Sequence, residues 1–147
     1  MLFRRNPGLL AGAAAALYTF SVPTLIAYRD EVEIFRSDGG WLHPLFELEA
    51  HLAAVPGGPA AERLTTYDKV VGRAGALLSI RLGVRAIRTD LVSRRALEVL
   101  LPRGIEVRSA STVDRIDCAT EELLKEVDDP DEAHRIILRR LEERRRA

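Results

Sequence analysis

The sequence is poor in the residues that advertise chemistry. Its 147 residues include one cysteine, one methionine, one tryptophan and three histidines, and only 5% are aromatic. With a single thiol, Cys118, neither an internal disulfide nor a zinc site of several cysteines can form, and the usage suits a reducing compartment. An excess of one charge is missing too: 22 Lys and Arg stand against 22 Asp and Glu. No global field therefore draws the chain onto nucleic acid or an acidic membrane, and any basic patch is local. What is present, 47% hydrophobic and 30% charged residues, fits one globular domain over residues 1–147 and excludes a disordered tail or a collagen-like rod. No internal repeat is visible.

The first segment has two readings. Arg4 and Arg5 precede an uncharged run from Pro7 to Tyr28, the pattern of a secretory signal or anchor. Pro23 would end a helix from Leu9 near Phe20, roughly 18 Å along where a membrane span needs about 30 Å. Leu9, Leu10, Ala13, Leu17 and Phe20 recur at helical spacing, so a helix docked on the core is preferred. A cytoplasmic protein is expected, with a signal or anchor as the alternative.

Thr24 to Arg29 and Val32 to Arg36 are β-rich runs around Asp30-Glu31, which predicts a β-hairpin. Trp41 to Ala54 predicts a helix beginning near Pro44. Val55 to Thr66 reads as a loop, and Thr66 can cap a helix from Tyr67 to about Leu82. Gly72 and Gly75 weaken that helix, which implies close approach to a neighbouring sheet or ligand. Val84–Thr89, a helix capped by Ser93, and Ile105–Arg108 form a β-α-β unit with parallel strands, and Thr112–Ile116 can add a short strand. Two helices finish the chain, from Asp117 or Cys118 to Val127 and, appended to the domain, from Asp129-Pro130 to about Arg145. The order predicts a three-layer α/β domain: a mixed sheet of four or five strands with helices on both faces.

Tyr67-Asp68-Lys69-Val70-Val71-Gly72-Arg73-Ala74, Ala96-Leu97-Glu98-Val99-Leu100 and Gly104-Ile105-Glu106-Val107 resemble a small prokaryotic family, domain-of-unknown-function family 1893. The resemblance runs roughly from Leu10 to Leu124, and its most specific part is Asp-Lys-Val-Val-Gly. It implies a cytidine-deaminase-like fold. Two departures stand out: the family often has Lys where Arg73 stands, and its Cys-Pro-Met-Glu stretch is here Cys118-Ala119-Thr120-Glu121, without the proline.

Zinc deaminases place His-x-Glu and Pro-Cys-x-x-Cys at two helix starts. The corresponding stretches, Tyr67-Asp68-Lys69 and Asp90 to Arg94, hold neither, and His43, His51 and His134 lie elsewhere. Zinc-dependent deamination is excluded on these grounds; no metal or cofactor is expected, and no catalytic residue is assigned.

The two helix starts should still flank one crevice, where oriented N–H groups favour a small anionic or polar ligand. Asp68, Lys69, Gly72, Arg73, Thr89 and Ser93 are the candidate binding residues; Lys69 and Arg73, four apart, would share a helix face. The plainer alternative is that Asp68 and Ser93 only cap helices and Lys69 is a solvated charge. Cys118 and Glu121 are a possible reactive pair near a helix start, set against a buried inert thiol, which is the preferred reading. Arg139 to Arg146 alternates with Glu and lacks aromatics, so it reads as a solvated helix end and not as a nucleic-acid site. Ala133, Ile136, Ile137 and Leu141 form a stripe that should cover the domain or a second subunit, and a homodimer is expected.

Three function classes follow. The first is a zinc-free deaminase-like domain that binds a small anionic or nucleoside-like ligand in a concave pocket. The second is an assembly protein whose crevice is filled by side chains. The third is an enzyme with non-zinc chemistry at Asp68, Lys69 or Cys118.

Overall fold

The structure, a computed structural model, describes residues 23–54 and 64–146. The expected helix at Leu9–Phe20 and most of the expected loop, 55–63, lie outside the described residues. Strand β1 (Leu25–Arg29) turns into β2 (Val32–Ser37) through Asp30 and Glu31, both left-handed at φ 52° and 68°. Two consecutive positive φ values are what a two-residue hairpin needs to match strand twist, so the expected hairpin forms without a glycine.

Helix α1 (His43–Ala54) begins one residue before Pro44, as expected. Then come β3 (Leu64–Val71), α2 (Arg73–Leu82), β4 (Ala86–Ser93), α3 (Arg94–Leu100), β5 (Glu106–Val113), α4 (Ala119–Leu123) and α5 (Pro130–Arg146). The strands form one sheet in the order β2-β1-β3-β4-β5. β1 is antiparallel to both neighbours, and β3, β4 and β5 are mutually parallel. This five-stranded mixed sheet with its helices agrees with the three-layer α/β reading.

Several expected boundaries are corrected. Residues 67–71 belong to a strand, and the helix starts at Arg73 with Gly72 as an extended N-cap (φ −97°, ψ −175°). Thr65, Thr66, Tyr67, Val70 and Val71 are β-branched or aromatic, and the segment pairs on both sides, Tyr67 with Ile26 and with Arg88. The apolar periodicity that predicted a long helix belongs only to its second half. Thr112 and Val113 extend β5 and do not start a separate strand, and α4 stops at Leu123, short of Val127.

Helix α2 is the hub of the core, touching α1, α3, α4 and α5. Seven consecutive residues, Arg73 to Ser79, are buried. Leu77 and Leu78 pack in the same core as Leu25, Ala27, Leu64 and Ile87 of the sheet and Leu45, Leu48 and Leu52 of α1. Ala133 and Ile137 of α5 are fully buried there, so the stripe expected to cover either the domain or a second subunit closes its own domain. At the edge of this packing Glu49 holds both Arg81 and His134, which joins α1, α2 and α5.

Candidate functional site

The carboxyl end of β3 opens into a cavity of about 240 Å³. Its walls are the end of β3, the start of α2, the loop Gly39 to Leu42 and the segment from Ile116 to Glu121. Crevices at the carboxyl ends of strands are where open α/β sheets place ligands.

The loop is stitched down before it reaches the cavity. Thr24 Oγ1 donates to the Gly39 carbonyl at 2.7 Å, and Ser37 Oγ accepts the Gly39 N–H at 3.1 Å while donating to Glu47 of α1 at 2.7 Å. These bonds fix Trp41 in the left-handed region, φ 55°, where a bulky residue stores about 1–3 kcal/mol of strain. Trp41 is one of the residues lining the cavity, and its ring has His43 edge-on at 5.8 Å and the Arg144 guanidinium from the end of α5 at 4.8 Å from the ring centroid.

Two acidic residues, Glu121 and Asp68, line the same cavity from different elements of the fold. Glu121 is 1% exposed and fully engaged: Oε1 accepts the Arg73 N–H and Oε2 the Ile116 N–H, both at 2.6 Å. The protein thus supplies its own anion to the start of α2, where the helix dipole favours negative charge. Gly72 permits this, because a Cβ there would stand 3.0 Å from Glu121 Oε1. At Gly75 a Cβ would meet Leu45 at 3.9 Å and Leu42 at 4.0 Å, both ordinary contacts, so the expected close approach holds at one of the two glycines.

Asp68 sits in β3 between Leu25 and Thr89. Burial pushes its carboxyl up to about 7, and a hydrogen bond from the Val70 backbone N–H offsets this only in part. A carboxyl poised near neutrality in a cleft is a marker of functional sites. Lys69 is exposed at the cavity mouth.

Of the residues expected from sequence, the fold brings Asp68, Lys69, Gly72, Cys118 and Glu121 to one cavity, and it places three elsewhere. Lys69 and Arg73 do not share a helix face, because Lys69 is in a strand. Arg73 points into the core, its guanidinium held by Asp128 at 2.6 Å, Glu98 at 3.0 Å and the carbonyls of Val127 and Arg95 at 3.1 Å. Ser93 is fully buried and caps α3 through the Ala96 N–H at 3.0 Å. The Thr89 hydroxyl is buried against the Leu91 backbone and lies 3.2 Å from the Lys69 carbonyl.

Cys118 corrects a second expectation, that of a buried thiol. It is exposed at the N-cap of α4, with Sγ 3.2 Å from Thr120 Oγ1. Asp117 before it and Thr120 after it make this a polar turn and not a core segment. Trp41 and the Gly39-Gly40 pair are site residues that sequence reasoning missed. The signal was there: the only tryptophan follows two glycines and precedes a helix.

The starts of the two helices that follow β3 and β4 are Val71-Gly72-Arg73-Ala74 and Ser93-Arg94-Arg95-Ala96, which also contain no His or Cys. Among the described residues there is no cluster of three or more metal-ligating side chains, and no helix is long and apolar enough to cross a membrane.

Comparison with known proteins places this geometry in context. A family model described as "TM1506: Domain of unknown function (DUF1893)" matches residues 17–141. The crystal structure of a DUF1893 family protein (TM1506) from Thermotoga maritima superimposes with a TM-score of 0.68 at 23% identity, covering 91% of this chain and 87% of that one. At that identity the likeness is one of fold. No curated protein matches the sequence.

Proposed function

The chain belongs to the DUF1893 family, and we propose that it is a zinc-free binding domain whose cavity takes a small planar, nucleoside-like molecule between Trp41 and Asp68. One observation carries this reading: the only tryptophan and a carboxyl raised to about 7 line the same cavity. A strained, stitched-down indole is a stacking surface for a flat heterocycle, and a carboxyl near neutrality can accept or donate a hydrogen bond at the heterocycle's edge. The volume, about 240 Å³, lies below the roughly 300 to 1,000 Å³ of pockets for drug-sized ligands, which restricts the cavity to a small molecule. The resemblance to a cytidine-deaminase-like fold adds the nucleoside class.

The anionic alternative is less well supported. The start of α2 already holds Glu121, so a phosphate or carboxylate would find only Lys69 at the mouth. An assembly protein without a ligand predicts a crevice filled by side chains, and the open volume speaks against it. A second reading, an enzyme, is favoured by a specific observation: Asp68 near neutrality and the exposed Cys118 thiol share the cavity, as proton transfer to a bound molecule would require.

The test is direct because Trp41 is the only tryptophan. Nucleobases, nucleosides and nucleotides titrated into the full chain should quench its fluorescence with 1:1 saturation. Asp68→Leu should weaken binding roughly tenfold or more, and Lys69→Ala should weaken nucleotides by about tenfold while leaving nucleosides unchanged. A panel in which no compound alters either Trp41 fluorescence or thermal stability refutes the binding reading. Recovery of a bound compound chemically altered supports the enzyme.

A further inference from the structure

The two edges of the sheet are built differently. β2 carries the Glu33–Arg36 ion pair, and its register with β1 shifts between Ala27 and Tyr28, devices that blunt an edge. β5 has neither proline nor any shift in its register with β4, and Arg108 to Thr112 are exposed on both faces. That is unusual for a parallel strand, since parallel sheets are normally covered on both sides.

One hydrogen bond sets the direction of every peptide group along β5. The Glu106 N–H donates to the Arg85 carbonyl at 3.1 Å, so Glu106, Arg108, Ala110 and Thr112 turn their peptide groups towards β4. Val107, Ser109, Ser111 and Val113 then turn theirs outward, and among the described residues no strand lies beyond them. Their small side chains leave the edge open.

We infer that two copies of this chain pair antiparallel through β5, with Ser111 opposite Ser111 about the two-fold axis, to make a continuous ten-stranded sheet. Antiparallel pairing brings outward-facing residues opposite each other, which leaves a few registers, and the charges choose among them. Centred on Arg108, arginine meets arginine. A pairing centred on Ala110 sets Glu106 against Asp114, and one centred on Ser109 matches no opposite charges. A centre on Val107 also sets Glu106 opposite Arg108 but overlaps only about three residues of each strand; the Ser111 centre overlaps about five and sets Arg108 opposite Asp114, the residue after the strand, and symmetry does so twice. Arg108 and Asp114 are solvent-exposed in the single chain and already share ion pairs with Glu106 and Arg94, so the four side chains would form one network across the junction. Asp114 lies two residues before Ile116, a wall of the cavity, so the pairing would also brace that wall.

The experiment is sedimentation equilibrium of the full chain across the micromolar range, with circular dichroism confirming that each variant is folded. The wild type should dimerise. Arg108→Asp should raise the dimer Kd roughly tenfold or more, and Arg108→Asp with Asp114→Arg should restore it. Ser111→Pro removes an N–H that faces away from β4, so it should give a folded monomer. A wild type monomeric throughout, or a dimer indifferent to both Arg108→Asp and Ser111→Pro, overturns the pairing. Failure of the double variant to recover overturns the register.

Discussion

Asp68 and Glu121 are two carboxyls on one cavity, and their surroundings give them different work. Glu121 is the more deeply buried, yet both of its oxygens accept short backbone N–H bonds, one of them at the start of a helix. Asp68 has the Val70 N–H as its counterweight, and burial pushes it to about 7. Depth alone therefore does not decide whether a buried carboxyl is structural. The number of donors that its oxygens are given decides it. Glu121 is a positioned acceptor that holds the Ile116 segment onto α2, while Asp68 is the carboxyl on which the proposed binding reading rests.

The largest expected effect tests the structural half of that contrast. Glu121→Ala strands the N–H groups of Arg73 and Ile116 and detaches one cavity wall from α2. A loss of about 3 to 6 kcal/mol is expected in urea unfolding, from two hydrogen bonds to a carboxylate acceptor at about 1.5–3 kcal/mol each. A loss under about 1 kcal/mol would erase the distinction between the two carboxyls.

Asp68→Asn should act in the opposite direction and only above acidic pH. The folded pKa of about 7 exceeds the ordinary 3.8, so the native state holds the proton more tightly than the unfolded chain. Stability contributed by this group is fully present below about pH 4 and is lost as pH rises towards 7. The variant lacks this slope, and at pH 8 it should be more stable than the wild type by up to about 4 kcal/mol, one unit of pKa being worth 1.36 kcal/mol. Thermal melts from pH 4 to pH 8 measure it. Parallel curves for the two proteins would count against Asp68 as the strained carboxyl.

The two glycines of this region sharpen the comparison further. Gly72→Ala pushes a methyl to 3.0 Å from Glu121 Oε1 and should cost about 1–2 kcal/mol. Gly75→Ala, with 3.9 Å of room inside a helix, should be neutral or stabilising by up to about 1 kcal/mol. Equal effects in denaturant titration would mean that Glu121 yields easily. The smallest effect belongs to Lys69→Ala, an exposed side chain whose loss should change stability by no more than about 0.5 kcal/mol.

Much of the fold was legible in local chemistry. The hairpin around Asp30-Glu31, the helix at Pro44, the Ser93 cap and the acidic-to-basic α5 all lie where short-range patterns placed them. The misreading at 67–71 has a physical cause. Tyr67 to Leu82 contains apolar residues in nearly every turn, and a buried strand running into a buried helix loses the polar punctuation that separates them. Gly72 was that punctuation, and reading it as a weakened helix position hid the start of α2. The same error paired Lys69 with Arg73.

In the site, Asp68, Lys69, Gly72, Cys118 and Glu121 were singled out from residue type and motif alone, and the fold does bring them to one cavity. Their roles could not be read that way. Whether a cation is a ligand contact or a core staple depends on which groups surround it, and Arg73 finds its partners 22 to 55 residues away. Trp41 reaches the cavity because bonds from Thr24 and Ser37 hold its loop, not because of its neighbours in sequence.

The sequence by itself determined that this is an α/β domain with a parallel unit, a single thiol and no zinc-deaminase motif at either helix start, because composition, periodicity and capping act within a few residues. Only the tertiary structure decided that the start of α2 is occupied by Glu121, that Cys118 faces outward and that Asp68 is pushed to about 7. Desolvation and hydrogen-bond satisfaction are sums over neighbours brought from far along the chain, and they do not exist until the packing does.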